Sequence, residues 1–403
     1  MNQRDMRPPF AALGGTIPPE LEKLPTPCYL LDEAALTRNA EILGGLAQRT
    51  GCKVLLAQKA FSNYDCYPLL APHLAGTEAS GLFEARLGAE EMPGKEVHVF
   101  CAAYRADEMD ELVQYADHIV FNSPAQLAKF GPAARAAGKS VGLRINPECS
   151  TQDGHAIYDP CAPGSRLGTT RAQWNAAVAA NPALPNLLDG LHFHTLCEQD
   201  SDALATTLDA VAQKFGDLLP RMQWLNFGGG HHITRPGYDI ATLERCITRA
   251  QQDWGVTVYL EPGEACALNA GFLLSRVLDV VQNGDTTIAI LDASAACHMP
   301  DVIEMPYRPP LFAAAELGEK PCTVRLAGPT CLAGDVIGDY GVDAVPNVGD
   351  LLVFGDMAIY TTCKNNTFNG MPLPAIFARA ASGTTRSIVS FGYEDFKYRL
   401  GKR

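Results

Sequence analysis

Lys59 closes the run Lys53-Val-Leu-Leu-Ala-Gln-Lys59, an amine at the end of an otherwise apolar strand. A lysine costs several kcal/mol to bury, so most chains keep it at the surface. An amine held at a strand end can instead serve as a nucleophile toward an aldehyde. A strand-end lysine reaching back to water is the competing explanation, and Lys59 alone does not decide between them. Three downstream segments strengthen the first explanation.

The first is Phe227-Gly-Gly-Gly230, three glycines at a strand end. Gly228, Gly229 and Gly230 let backbone N–H groups crowd around a phosphate without Cβ interference, where an isolated triplet would be only a turn. The second is Tyr259-Leu-Glu-Pro-Gly-Glu264, in which Glu261 would pair with a pyridine nitrogen and keep it protonated, or either carboxylate would cap a helix or satisfy a turn. The third is Gly328-Pro-Thr-Cys331-Leu-Ala-Gly-Asp335, a turn-rich segment with a thiol able to deliver a proton to carbon. A small buried hydrophobe is the default for any one of thirteen cysteines. His192-Phe-His194 alternates on a strand, and with His231 and His232 it invites a zinc reading. No Cys or His spacing completes a metal motif, so a histidine stacked on an aromatic cofactor, or one simply hydrogen-bonded in the barrel core, is preferred and no metal is expected.

Positioning these groups requires strands that end at one place. Strand candidates are Cys28–Leu31, Val54–Gln58, Thr77–Ser80, Val97–Cys101, His118–Asn122, Val141–Asn146, Leu191–Thr195, Trp224–Phe227 and Val256–Glu261. Helix-length stretches alternate with most of them, among them Glu33–Arg49, Pro124–Ala137, Arg171–Ala180, Ala203–Leu219 and Ile240–Trp254. That rhythm predicts parallel strands with crossover helices, and eight units fit an α/β fold of the (β/α)8 barrel type. A doubly wound open sheet has the same periodicity. The barrel is preferred because chemically capable residues end several different strands. After about Leu268 come Phe272–Val281, Thr286–Ala293, Thr323–Ala327, Asp350–Phe354, Ile376–Arg379 and Arg386–Ser390, separated by Gly-, Pro- and Asn-rich turns. These predict a smaller C-terminal β domain, a sandwich or barrel. The division expected is residues 1–34 as an N-terminal segment packing with the β domain, 35–268 as the barrel and 269–403 as the β domain.

Composition bounds the partners. The 403 residues suit two domains, and a net charge of −13 with no basic stretch argues against nucleic acid. Thirteen scattered cysteines without a Cys-x-x-Cys pair fit reduced thiols in a cytoplasm. No secretory h-region is evident from Met1 to Lys23, and no apolar run approaches the ~20 residues of a membrane span.

With these residues in place the chain resembles the alanine-racemase-fold decarboxylases, which act on ornithine, arginine and diaminopimelate with pyridoxal phosphate. Lys59, Glu78-Ala-Ser80 with Glu84, His194, Gly228–Gly230, Glu261-Pro-Gly263, Gly328-Pro-Thr-Cys331 and Tyr360 follow in that family's order, from about Pro27 to Phe391. The resemblance implies that Lys59 holds the cofactor and His194 stacks on its ring, while Glu261 supports the pyridine nitrogen. It further implies that Glu78 is a cofactor-site residue, that Tyr360 joins Gly228–Gly230 at the phosphate, and that Cys331 supplies a proton from a partner subunit of an obligate homodimer.

Departures narrow the substrate. Glu264 stands where relatives carry Arg, a change from anion to ammonium recognition. His194-Thr-Leu-Cys-Glu198 replaces the usual continuation, Leu332 replaces an acid, and His298-Met-Pro-Asp301-Val-Ile-Glu304 adds two carboxylates. These resemble the polyamine branch of the family, the carboxynorspermidine/carboxyspermidine decarboxylases. A cationic carboxylated polyamine would then meet Glu264, Asp301, Glu304 and Asp335. The rivals are a diaminopimelate, ornithine or arginine decarboxylase, an alanine racemase, and a non-catalytic pyridoxal-phosphate-binding protein.

Overall fold

A computed structural model describes residues 8–152 and 159–402. The chain divides into two compact units, one formed by residues 38–266 and the other by 1–37 with 267–403. The division falls inside the helix Glu33–Thr50 and again just after Cys266.

The 38–266 unit is a closed barrel of parallel strands. After β1 (Cys28–Asp32), which belongs to the other unit, come β2 (Lys53–Ala57), β3 (Gly76–Ala79), β4 (Glu96–Phe100) and β5 (His118–Phe121). They are followed by β6 (Ser140–Arg144), β7 (Gly190–His192), β8 (Trp224–Asn226) and β9 (Thr257–Leu260). β9 pairs back onto β2 through Lys53–Tyr259 and Val54–Leu260, so the sheet closes and the open alternative falls. The strands are short and almost wholly buried, as expected where helices cover one face and side chains fill the other. Trp224 is one such filling. A Cβ on Gly190 would lie 2.0 Å from its ring and one on Gly142 2.3 Å, so both neighbours must lack a side chain.

The second unit is built on an eight-stranded sheet. It adds β10 (Gly271–Asn283), β11 (Thr286–Leu291), β12 (Cys322–Ala327), β13 (Val336–Val342), β14 (Leu351–Gly355), β15 (Ala375–Arg379) and β16 (Thr385–Val389). The order is β13-β12-β11-β10-β1-β15-β16, with β14 on β10. β1 runs antiparallel to β10 (Cys28 opposite Leu274) and parallel to β15 (Cys28 opposite Ala375). Phe10, Leu13 and Leu21 bury themselves with Leu30, Phe272, Leu274 and Val353 in this unit's core.

Two local expectations need correction. The strand read as Leu191–Thr195 stops at His192; two residues on, the His194 carbonyl accepts from the Arg144 side chain, Nη2 at 3.1 Å, rather than from a neighbouring strand. The strand Val336–Val342 had no counterpart in the sequence reading, since its Gly338, Asp339 and Gly341 break the apolar run by which strands are recognised. Among the described residues no helix is long and apolar enough to cross a membrane.

Candidate active site

The barrel brings functional groups to one end because each lies at or just beyond the C-terminal end of a parallel strand. Lys59 lies on the turn beyond β2 with its side chain exposed, and Glu78 is in β3. Arg144 ends β6, His192 ends β7, Asn226 ends β8, and Glu261 follows β9. The charge of Lys59 acts on Glu78, Glu84, His192 and His194, so these groups share one electrostatic neighbourhood.

Glu261 is buried and doubly held. Its Oε2 lies 3.0 Å from His192 Nε2, and its Oε1 accepts from Asn226 Nδ2 at 2.6 Å. Burial would push the carboxyl up, but His192 and Asn226 outweigh it and hold the pKa below the ordinary value. His192 is pushed down chiefly by burial, so near pH 7 a neutral imidazole donates its Nε2 proton to an ionised carboxylate. Its ring stacks on Phe100, with centroids 5.4 Å apart. Glu78 behaves oppositely: burial, and then the charge of Glu261, push it well above the usual carboxylate range.

His194 accepts from the Gly229 amide at Nδ1, 2.9 Å away. That bond fixes Nδ1 as the unprotonated nitrogen and puts the ring proton on Nε2. Burial, reinforced by Lys59 and Arg144, lowers its pKa well below the usual histidine range, so the ring is neutral and flat-faced.

The glycine loop is obligatory at all three positions. A Cβ on Gly228 would come 2.5 Å from the Phe193 carbonyl, on Gly229 2.4 Å from that of Glu261, and on Gly230 2.0 Å from that of Leu196. Gly228 and Gly230 also adopt φ of 69° and 83°. Gly228 N–H donates to Asn226 Oδ1 at 2.8 Å and Gly229 N–H to His194. The loop's remaining amide, Gly230, is the one available to an anion. Glu264 faces His232, Oε1 to Nε2 at 3.3 Å, with Glu198 Oε2 at 4.0 Å from the same nitrogen.

In the other unit, Cys331 is exposed, and its amide donates to Asn369 Oδ1 at 2.8 Å. Asp301 and Glu304 share a one-turn helix and both bind Lys364 Nζ. Tyr360 holds a left-handed φ of 51°. Asp335 is corrected from its expected place at the substrate. It is buried, and its oxygens accept from Ser294 Oγ at 2.9 and 3.0 Å, Thr330 Oγ at 2.7 Å and the Ala296 amide at 3.2 Å. With those oxygens spent, Asp335 organises the turn that carries Cys331. The sequence reading also missed Arg144, Asn226 and the His192–Glu261 bond. An arginine ending the apolar strand Ser140–Arg144 was the available signal for the first.

The residues present fit pyridoxal phosphate: an amine, an ionised carboxylate, a neutral ring and a glycine loop too closely packed for any Cβ lie at one end of the barrel. Fold and site together define an enzyme of the parallel-barrel class equipped for an aldehyde cofactor. A family model described as pyridoxal-dependent decarboxylase, C-terminal sheet domain, matches residues 28–358, and the chain belongs to that family. Carboxyaminopropylagmatine decarboxylase of Synechocystis sp. is 43% identical, over 95% of this chain and 97% of that protein. Carboxynorspermidine/carboxyspermidine decarboxylase of Campylobacter jejuni is 40% identical, over 94% and 99%. The crystal structure of the Campylobacter jejuni carboxynorspermidine decarboxylase complexed with norspermidine superposes with a TM-score of 0.85 at 39% identity, covering 93% of this chain and all of that one. A diaminopimelate decarboxylase structure at 20% identity and TM-score 0.81 shares the fold.

Proposed function

We propose that the protein decarboxylates carboxynorspermidine and carboxyspermidine, using pyridoxal phosphate, to give norspermidine and spermidine. The observation that supports this most is Glu261, kept ionised by His192 and Asn226 in a buried site. A carboxylate at a pyridine nitrogen keeps that nitrogen protonated, which favours loss of CO2; a racemase benefits from the opposite arrangement.

When bound, the cofactor supplies an electron sink for the bond between the α-carbon and the carboxylate. Lys59 would hold it by its aldehyde, His194 would lie against its ring, and Glu261 would accept from its ring N–H. Gly230 N–H and Tyr360 would meet its phosphate, and Glu78 would stand by as a protonated acid. Cys331 Sγ would then give a proton to the carbon that CO2 has left, reaching it from the second copy in a homodimer. Arg144, buried over the Phe100 ring at 4.5 Å, would hold the His194 backbone in place. Asp301 and Glu304 would together receive the substrate's terminal ammonium group, and Glu264 the internal one.

The Synechocystis relative favours a second reading, a carboxylated amine ending in a guanidinium. CO2 release from holoenzyme given carboxynorspermidine, carboxyspermidine, carboxyaminopropylagmatine, diaminopimelate or ornithine separates the two. Turnover confined to the first pair supports the proposal. Preference for the guanidinium substrate replaces it with the second reading, and release from an amino acid alone overturns both.

A further inference from the structure

Asp301 and Glu304 lie three residues apart on one helical turn, so their carboxylates project to the same side. The two carboxylates surround an ammonium that the protein itself supplies. Lys364 Nζ donates to Asp301 Oδ1 and, at 2.5 Å, to Glu304 Oε2. The same ammonium stands 5.9 Å from the Tyr360 ring centroid. Burial would lower the lysine's pKa, yet the two carboxylates hold it above the ordinary value, so it is charged at any working pH. The cluster is accessible: the side chains of Lys364, Asp301 and Glu304 are 32%, 16% and 57% exposed. An ion pair this open to water contributes little to stability, and its partners exchange readily with an incoming cation.

Resting on the reading of Asp301 and Glu304 as ammonium-binding groups, we propose that Lys364 sets the affinity and specificity of the distal pocket. Its ammonium is an internal competitor that substrate must displace from the two carboxylates or share them with. The local charge follows: two carboxylates and one ammonium leave a net of −1, enough for one incoming ammonium and short of two. A carboxylated polyamine and its decarboxylated product both carry several. Because the distal amines are the same before and after CO2 is lost, Lys364 loosens the pocket's hold on substrate and product alike. The carboxylates regain a partner as the product leaves, and release is eased.

The test uses holoenzyme with Lys364→Met, which keeps the stem and removes the charge, and Lys364→Arg, which keeps the charge. Carboxynorspermidine supplies KM and kcat, calorimetry supplies norspermidine affinity independently of turnover, and a melting curve reports on folding. Removing one positive charge about 5 Å from a bound ammonium in a half-solvated site is worth about 5–20-fold in affinity. Expected for Lys364→Met is a fall of that size in KM and in norspermidine Kd, largest at low salt, with Lys364→Arg within about threefold of the parent. A rise in KM and Kd, or unchanged values with a lowered melting temperature, would make the bridge a tether only and overturn the proposal. If the parent enzyme ignored carboxynorspermidine, the functional reading would fail by turnover while the norspermidine Kd still decided the role of Lys364.

Discussion

Replacing His192 with phenylalanine tests the electrostatic core of the site. The imidazole is 1% exposed, donates to Glu261 across 3.0 Å and stacks on Phe100 at 13° between ring planes. Phenylalanine preserves the stack and the volume to within a few atoms and removes only the donor. A hydrogen bond to a charged group is worth about 1.5–3 kcal/mol, and its loss is felt by the ionised form of Glu261 alone. At 1.36 kcal/mol per pKa unit that raises the Glu261 pKa by about 1–2 units. The sign follows from the native shift. Glu261 is held below its unfolded value, so its favourable contribution is present above that value and lost as pH falls through the folded pKa. In the variant the loss begins at higher pH. The acid limb of kcat/KM should therefore move toward neutrality by about 1–2 units, with the plateau reduced less than the limb is displaced. The assay is CO2 release across pH on cofactor-saturated protein, with a melting curve at each pH. A variant that folds and keeps the parental acid limb would refute the claim that His192 keeps Glu261 ionised.

Gly229→Ala places a methyl group 2.4 Å from the Glu261 carbonyl, and the loop must move to accept it. Cofactor retained after dialysis, read by its absorbance, should fall by about tenfold or more, at least ~1.4 kcal/mol. Asp335→Asn leaves an amide facing the hydroxyls of Ser294 and Thr330 and the Ala296 amide, a loss of about 1–3 kcal/mol. The melting temperature should drop by roughly 3–8 °C, and activity should fall with it as the Cys331 turn loosens.

How far the sequence carried is clear from individual residues. The barrel strands were legible because strands buried on both faces are unbroken apolar runs, and Val54–Ala57 or Ile119–Phe121 permit no other reading. Lys59, Glu261 and the glycine triplet were legible because each is a chemical anomaly at the end of such a run. Asp335 misled because adjacency to Cys331 was taken for shared purpose. Its partners Ser294 and Ala296 lie about forty residues away and are brought near only by the fold. Lys364 was invisible for the same reason, being 63 and 60 residues from the two carboxylates it bridges. Asn226 and His192 matter because Glu261 stands one strand or two away in a closed parallel sheet, and only the register of β7, β8 and β9 makes them neighbours.

Glu78 and Glu261 show what that register accomplishes. Both are buried, at 4% and 5% exposure, and burial alone penalises either charge. Two carboxylates buried in one site, even beside Lys59 and Arg144, do not ionise with equal ease; donors decide which one does so more readily. Glu261 has Asn226 and His192, so it keeps the charge, and that charge raises Glu78 further. The site therefore sets two copies of one functional group apart, the Glu261 carboxyl lowered and the Glu78 carboxyl raised. Glutamine imitates the neutral acid and cannot imitate the anion, so the two isosteric changes should diverge. Glu78→Gln should keep activity within about tenfold, since only a ~1.4 kcal/mol adjustment of hydrogen bonds is at stake. Glu261→Gln removes the group that keeps a pyridine nitrogen protonated and should cost at least about 10²–10³-fold in kcat, as loss of one preorganised electrostatic partner does elsewhere. CO2 release with saturating substrate and cofactor reads both. Equal losses would mean that the two carboxyls act alike, and that the opposite protonation states given them here are wrong.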